Sequence, residues 1–347
     1  MGATTLKYCL TSFHFTMNIS IGTKRVLDQD FNKVVSEYRT EIMGLSMISI
    51  MLFHQYFTSS IPFNIFHNFG YWGVDVFLFL SGMGLVQSLE NNTIPVYYVR
   101  RFKRIIPCCI LCGTIKYIIF ILLGSSVAIL ANGLKMGWWS LASLDLWFIP
   151  AIIIFYAISP ILYRLLNKWP VISLTCVFIL MLINSLTLRP LIGYNWNSPS
   201  GVFSYTIERL PVFAAGMFAS MRKNWINDKI PLSFPFLLTA IGLLLLDKSG
   251  VSILGHQAYV YIALTLGMPA LIITNICFLN NLPNIVKKCL HFFGSYSLEL
   301  YLVHEFIFWS IKINFIDVSP WLLLPTCIVL SCLAAYLCKI IIKKIMS

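Results

Sequence analysis

The chain has 347 residues, of which 58% are hydrophobic and only 11% are charged, and its formal net charge is +12. Soluble globular domains carry about 25% charged residues, so this composition excludes that class. Long apolar runs separated by short polar segments predict an all-α integral membrane protein with about ten transmembrane helices in one bundle.

The apolar runs define the expected organisation of the chain. A polar N-terminal segment, 1–40, is expected to lie in the cytoplasm, and 41–347 is expected to form the transmembrane domain. The sixth candidate span is short and could extend back toward Phe203. The ten candidates lie at about 42–58, 70–88, 105–124, 146–166, 170–187, 209–221, 232–247, 257–279, 291–313 and 320–341.

The positive charges alternate with these spans. With the N-terminus placed in the cytoplasm, nineteen lysines and arginines fall in inner segments and four in outer segments. Cytoplasmic loops of membrane proteins carry such an excess, so both termini are predicted to be cytoplasmic in a multi-pass protein of the cell membrane. Because this topology accounts for the positive charge, nucleic acid is not expected as a partner; the lipid bilayer is.

The first span, within EIMGLSMISIMLFHQYF, contains His54 about twelve residues from its inner end. A neutral imidazole there could act as a general base or could hydrogen bond to a neighbouring helix, and both interpretations stay open. The second span carries Asp75 near its outer end and should be an antiparallel neighbour of the first, because the loop 59–69 is short. Asp75 could orient the His54 ring or could lie in interfacial water. Gly82 and Gly84 are expected to permit close helix packing.

A cluster of cations, YYVRRFKRIIP, follows the second span on the predicted cytoplasmic side. Arg101 and Arg104 lie one helical turn apart, next to Arg100. The cluster could be a lipid-headgroup anchor, or an anion clamp in which arginine makes bidentate bonds to phosphate. The CxxC pair that follows, Cys109 and Cys112, lies within a span and is interpreted as two small buried hydrophobic residues rather than a metal or redox site.

Later spans carry further polar residues. Trp147 opens the fourth span, and Tyr301, His304 and Glu305 could share one face of the ninth, within SYSLELYLVHEFIFW. A proton relay, a substrate site and a structural network are all compatible with this pattern.

The order of these motifs resembles the acyltransferase-3 family of integral-membrane acyltransferases. The matching segments are MLFH, GVDVFLFLSGMGL, RRFKRIIP, LWFIPAIIIFYAISPIL, RLPVFAAGM and GSYSLELYLVHEFIF, from about residue 39 to the end of the chain. The resemblance implies transfer of an acyl group from a donor such as acetyl-CoA to a sugar or another hydroxyl acceptor.

The resemblance also assigns roles to individual residues. His54 matches the essential histidine of the first span, and Arg101 and Arg104 match an RxxR pair associated with the CoA donor. Asp75, Ser81 and Gly82 match the second-span motif. The sequence departs from the family at Met43, where an arginine is common eleven residues before the histidine, and Arg39 is the nearest arginine. Either Arg39 or another cation takes that place, or this branch functions without it.

The resulting hypothesis is a membrane O-acyltransferase with no permanently bound cofactor and no metal. Acyl-CoA would bind at the arginines, and His54, oriented by Asp75, would act as general base on a hydroxyl of a saccharide or glycolipid. Ser81 or Tyr301 would stabilise the oxyanion, with Trp147, His304 and Glu305 as further substrate or supporting residues. The alternatives are a transporter of a polysaccharide or lipid-linked sugar, with the polar residues as its proton pathway, and a scaffold subunit. The acceptor, the choice between acetyl and succinyl, and the oligomeric state are left open by the sequence.

Overall fold

The computed structural model describes residues 30–55, 70–122, 147–192, 199–249, 256–314 and 319–346. Most of the expected N-terminal segment and the loop 59–69 lie outside the described residues, as does the outer loop at about 125–145. Within the described ranges every regular element is helical, which confirms the all-α class. The helices are α1 (Phe31–Phe53), α2 (Trp72–Glu90), α3 (Ile94–Leu122), α4 (Phe148–Lys168), α5 (Pro170–Ile183), α6 (Arg189–Ile192), α7 (Pro199–Met221), α8 (Lys223–Lys248), α9 (His256–Asn280), α10 (Asn284–Ser295), α11 (Ser297–Asn314) and α12 (Pro320–Met346), with a π-helical segment, Asn184–Leu188, joining α5 to α6.

Among the residues that the structure describes, six helical segments are long and apolar enough to cross a membrane. The four other predicted spans lie on α1, on α3, on α7 and across α10 and α11; α1, α3 and α11 carry at least three charged residues each, and α7 carries two. About ten spans, with both termini in the cytoplasm, therefore remains a prediction. The six segments are Trp72–Glu90, Phe148–Lys168, Pro170–Leu191, Lys223–Lys248, Ala258–Asn280 and Trp321–Ile345.

Two helices differ from the sequence-based boundaries. The helix α1 begins at Phe31, so the expected boundary at residue 40 falls inside it, and it ends at Phe53 rather than continuing to residue 58. His54 therefore caps the end of α1 instead of lying within the helix. The predicted span 291–313 is divided at Tyr296 between α10 and α11. Apolar periodicity did not reveal either break, because hydrophobic residues continue on both sides of it.

The first two long helices are antiparallel neighbours, as predicted. A Cβ atom added at Gly73, near the start of α2, would lie 2.5 Å from the carbonyl oxygen of Ser46, late in α1. At the other end of α2, a Cβ atom added at Gly84 would lie 2.8 Å from the guanidinium of Arg39, early in α1. The antiparallel pairing brings the arginine end of α1 to the end of α2 that precedes the cationic cluster.

Glycines also set the distance between α2 and α7. A side chain at Gly82 would overlap the carbonyl oxygen of Phe213, and one at Gly216 would overlap that of Phe79. The backbones therefore approach closely, as small residues permit in membrane helices. The packing role predicted for Gly82 is confirmed, and the tight contact holds α2 at the centre of the molecule.

Burial separates interior from peripheral helices. In its most apolar stretch, 72% of the residues of α2 are buried, against 22% for Pro170–Leu191 and 28% for α8. The exposed residues of the peripheral helices are large and apolar, Leu191 and Leu238 among them. Such surfaces are suited to contact with lipid. The polar side chains of the interior helices are instead surrounded by protein.

Candidate active site

Two histidines from distant parts of the chain meet at the centre of the candidate site. His54, at the end of α1, lies with its Nδ1 atom 3.2 Å from the Nε2 atom of His304 on α11. The ring centroids are 5.0 Å apart and the rings are inclined at 65°. His304 is fully buried, whereas the side chain of His54 is 17% exposed. The sequence placed both residues in the site but did not pair them.

The hydrogen bonds around His304 assign the tautomers of both rings. Its Nδ1 atom lies 3.0 Å from the carbonyl oxygens of Leu300 and Tyr301, so this nitrogen carries the proton and donates it. The Nε2 atom of His304 must then accept from His54 Nδ1–H, which also lies 2.9 Å from the carbonyl oxygen of Ile50. The Nε2 atom of His54 is left unprotonated, as a general base requires.

Two charged groups flank the histidine pair. The carboxylate of Glu305 lies 3.9 Å from His54 Nε2, too far for a hydrogen bond but close enough to stabilise a positive charge on the ring. Lys116, buried on α3, interacts electrostatically with His304. The sequence had placed Lys116 in or near a span without assigning it a role. A buried cation within a span was the signal that could have marked it as functional.

Aromatic rings continue the site away from the histidines. Tyr301 is buried, its ring centroid lies 5.8 Å from that of His304, and its side chain hydrogen bonds to the backbone of Phe148. The ring of Phe148 is 5.0 Å from Tyr301 and 6.1 Å from Trp147. Tyr301 therefore contacts the histidine pair directly, and Trp147 is connected to it through Phe148 and Tyr301.

Asp75 does not orient the imidazole of His54. Its carboxylate is fully buried and lies 3.4 Å from the Nε atom of Arg209 on α7. The close α2–α7 packing turns Asp75 toward α7, so that the described residues provide His304, rather than Asp75, as the partner of His54 Nδ1. Ser81 is half-buried and lies six residues farther along α2 from Asp75, about 9 Å toward the cationic end.

At the other end of α1, three arginines converge. The Nη2 atom of Arg101 donates to the carbonyl oxygen of Gly84 at 3.4 Å, and the guanidinium of Arg39 packs on the same glycine. Burial lowers the pKa of Arg39, and the charges of Arg104 and Arg101 act in the same direction. No ion pair to a carboxylate neutralises any of these three arginines within the described residues. Arg100 is exposed on α3, the helix that carries Arg101 and Arg104.

A family model described as an acyltransferase domain matches residues 44–340. The chain belongs to the acyltransferase-3 family. No curated protein and no solved structure matches it.

Membership of the family makes this chain a membrane acyltransferase. The match covers the helices that carry the histidine pair, the RxxR arginines and Arg209, while Arg39 lies just before its first residue. The pairing of Asp75 with Arg209 was not foreseen, although the Glu208-Arg209 dipeptide beside an apolar run is a visible signal of buried charge.

Proposed function

We propose that this acyltransferase moves an acyl group, acetyl in the first instance, from cytosolic acyl-CoA to a hydroxyl of a cell-surface or lipid-linked saccharide. One observation carries the proposal: in a chain of this family, His54 Nδ1 lies 3.2 Å from the buried His304 Nε2 atom, an arrangement that leaves Nε2 of a neutral His54 ring free of a proton. The arrangement follows the logic of other acyl-transfer sites, in which a third group holds the base in the correct tautomer.

In this mechanism the acceptor hydroxyl gives its proton to His54 Nε2 as its oxygen attacks the thioester carbonyl. The imidazolium formed is stabilised by Glu305, 3.9 Å away. When the tetrahedral intermediate collapses, the carbon–sulfur bond breaks and the proton passes from His54 to the departing thiolate. An ester and free CoA thiol result, and the histidine returns to its starting state.

Charge that develops on the carbonyl oxygen needs a donor near the histidine pair. The two candidates are the hydroxyl of Tyr301, on the same helix as His304, and the ammonium of Lys116, on α3. Either group would act in a largely buried setting, where such interactions are strongest. Ser81 is the weaker candidate, because it lies six residues after Asp75, toward the end of α2 that precedes the arginine cluster.

The donor is proposed to bind at Arg39, Arg101 and Arg104. Three uncompensated guanidinium groups suit the phosphates of CoA, which they can hold by bidentate bonds. Fifteen residues separate Arg39 from His54 along α1, or about 22 Å. A donor held at the arginines must therefore carry its acyl group on a long arm, as CoA does on its pantetheine. Arg39 would supply the cation that the family pattern lacks at Met43.

The test is acyl transfer from radiolabelled acetyl-CoA by the purified full chain in lipid nanodiscs, with envelope extract from source cells lacking the protein as acceptor. His54→Ala should lower transfer at least 100-fold, because general base catalysis contributes about 10²- to 10⁴-fold. His291→Ala is the matched control, since His291 pairs with Glu41 on the α1–α10 contact instead. Undiminished transfer by His54→Ala would remove the proposed base.

A transporter finds no specific support. The family match assigns acyl transfer, and no observation in the described residues favours transport over it. Vesicles that contain the His54→Ala variant give a direct comparison: loss of label transfer with no change in saccharide movement supports the enzyme.

A further inference from the structure

Four buried charged side chains form a network where α7 packs against α2 and the π-helical segment. Arg189 pairs with Glu208, and Arg209 lies 3.4 Å from Asp75. All four residues are more than nine-tenths buried. The network contains two cations and two anions, so it is electrically neutral, unlike the arginine cluster at Gly84. The proposed chemistry at His54 uses none of these groups.

Much of the hydrogen-bonding capacity of this network is unused. Both carboxylate oxygens of Asp75, the Oε2 atom of Glu208, and the Nε and Nη1 atoms of Arg209 are buried without a hydrogen-bond partner in the described part of the chain. Buried polar groups are nearly always hydrogen-bonded, so leftover donors and acceptors in one place call for a partner such as water, an ion or a bound polar molecule. A hydroxyl can accept from the guanidinium and donate to a carboxylate at the same time.

Aromatic rings surround the guanidinium of Arg209. The Cζ atom of Arg209 lies 4.2 Å from the ring centroid of Trp147, 4.9 Å from that of Tyr261 and 5.7 Å from that of Tyr205. Trp147 is half-buried, so one part of this wall remains open. Binding sites for small molecules combine apolar and aromatic walls with a few convergent polar groups in this way.

The network adjoins the histidine pair. From Trp147 the ring contacts run through Phe148 and Tyr301 to His304, with successive centroids 6.1, 5.0 and 5.8 Å apart. Tyr301 also interacts electrostatically with both Arg209 and Glu305. A molecule held at Arg209 therefore lies within a few side chains of the proposed base.

We propose that Asp75, Glu208 and Arg209, walled by Trp147, form the subsite that binds a neutral, polyhydroxylated acceptor, a saccharide without its own charge. This rests on the proposed function. The charge balance selects the ligand class: a phosphate or uronate here would be repelled by Asp75 and Glu208, whereas sugar hydroxyls satisfy donors and acceptors together. The uncompensated arginines at Gly84 take the anionic donor, so the two substrates are separated by charge.

The experiment measures both substrate dependences of the full chain in nanodiscs, with [14C]acetyl-CoA and graded amounts of the envelope extract described above. Arg209→Lys keeps the positive charge but loses the planar guanidinium, which can donate two parallel hydrogen bonds. It should raise the amount of extract needed for half-maximal transfer at least tenfold, while the KM for acetyl-CoA changes less than twofold. Trp147→Leu should act in the same direction with a smaller effect, and it leaves the buried ion pairs in place if Arg209→Lys does not fold.

The matched control is Arg222→Lys, the same substitution at an exposed arginine that bonds to the carbonyl oxygen of Asn167; it should change neither parameter. An unchanged extract dependence in folded Arg209→Lys and Trp147→Leu overturns the subsite, as does a parallel rise in the KM for acetyl-CoA. No transfer by the wild-type chain would instead overturn the proposed function, and the subsite with it.

The ligand class is tested on the labelled product. After mild acid cleavage, sugars that carry the label are separated by anion exchange. Label on an uncharged sugar is the expected result. Label confined to phosphorylated or uronate residues overturns the assignment of a neutral acceptor.

Discussion

Replacement of His304 tests whether this residue positions the base. His304→Phe fills the same space but cannot accept the Nδ1–H of His54, whose remaining partner is the carbonyl oxygen of Ile50 at 2.9 Å. A hydrogen bond of this kind contributes about 0.5–1.5 kcal/mol. A loss of about 0.5–1.5 kcal/mol of transition-state stabilisation corresponds to a fall of about 2- to 13-fold in kcat/KM. This loss is smaller than that expected for His54→Ala, because Ile50 still favours the productive tautomer.

The assay is initial-rate transfer from labelled acetyl-CoA at saturating and limiting donor. The loss should appear in kcat, with the KM for acetyl-CoA unchanged, because His304 acts through the base and not on the donor. His304→Gln, whose side-chain carbonyl can accept the Nδ1–H, should recover part of the rate. A His304→Phe enzyme as fast as the wild type, or as slow as His54→Ala, would refute the tautomer argument.

Further perturbations address the flanking carboxylate, the donor cluster and helix packing. Glu305→Gln removes the charge that stabilises protonated His54, so the acid limb of the pH–rate profile should move to lower pH; movement to higher pH contradicts this role. Arg39→Ala should raise the KM for acetyl-CoA about tenfold, since a charged hydrogen bond is worth about 1.5–3 kcal/mol. The variant should also show a weaker dependence of this KM on salt concentration. An unchanged KM excludes Arg39 from the donor site. Gly216→Ala forces a methyl group onto the α2 backbone and should destabilise the protein by about 1–3 kcal/mol, measured by unfolding in detergent. Gly242→Ala is the control and should not destabilise the protein, because there is open space around Gly242. Equal stability of the two variants contradicts the close packing.

The sequence alone was sufficient for the all-α membrane class of the protein, and it was enough to single out candidate site residues. Low charge content and long apolar runs are local properties, and they do not depend on which helix packs on which. The same holds for His54 and the RxxR arginines, because a histidine or an arginine cluster beside an apolar run is visible without a partner. The ordered motifs were also enough to indicate the family that the match to residues 44–340 shows.

Partners were decided by the tertiary structure. His54 and His304 are 250 residues apart in sequence, and neither their hydrogen bond nor the tautomer that it fixes could be inferred from helical spacing. Asp75 was expected to face His54 because α1 and α2 are neighbours, but α7 packs closer to it and supplies Arg209. Local periodicity shows which face of a helix is polar, but the neighbour it meets is set by packing between distant segments, where glycines such as Gly82 and Gly216 fix the approach.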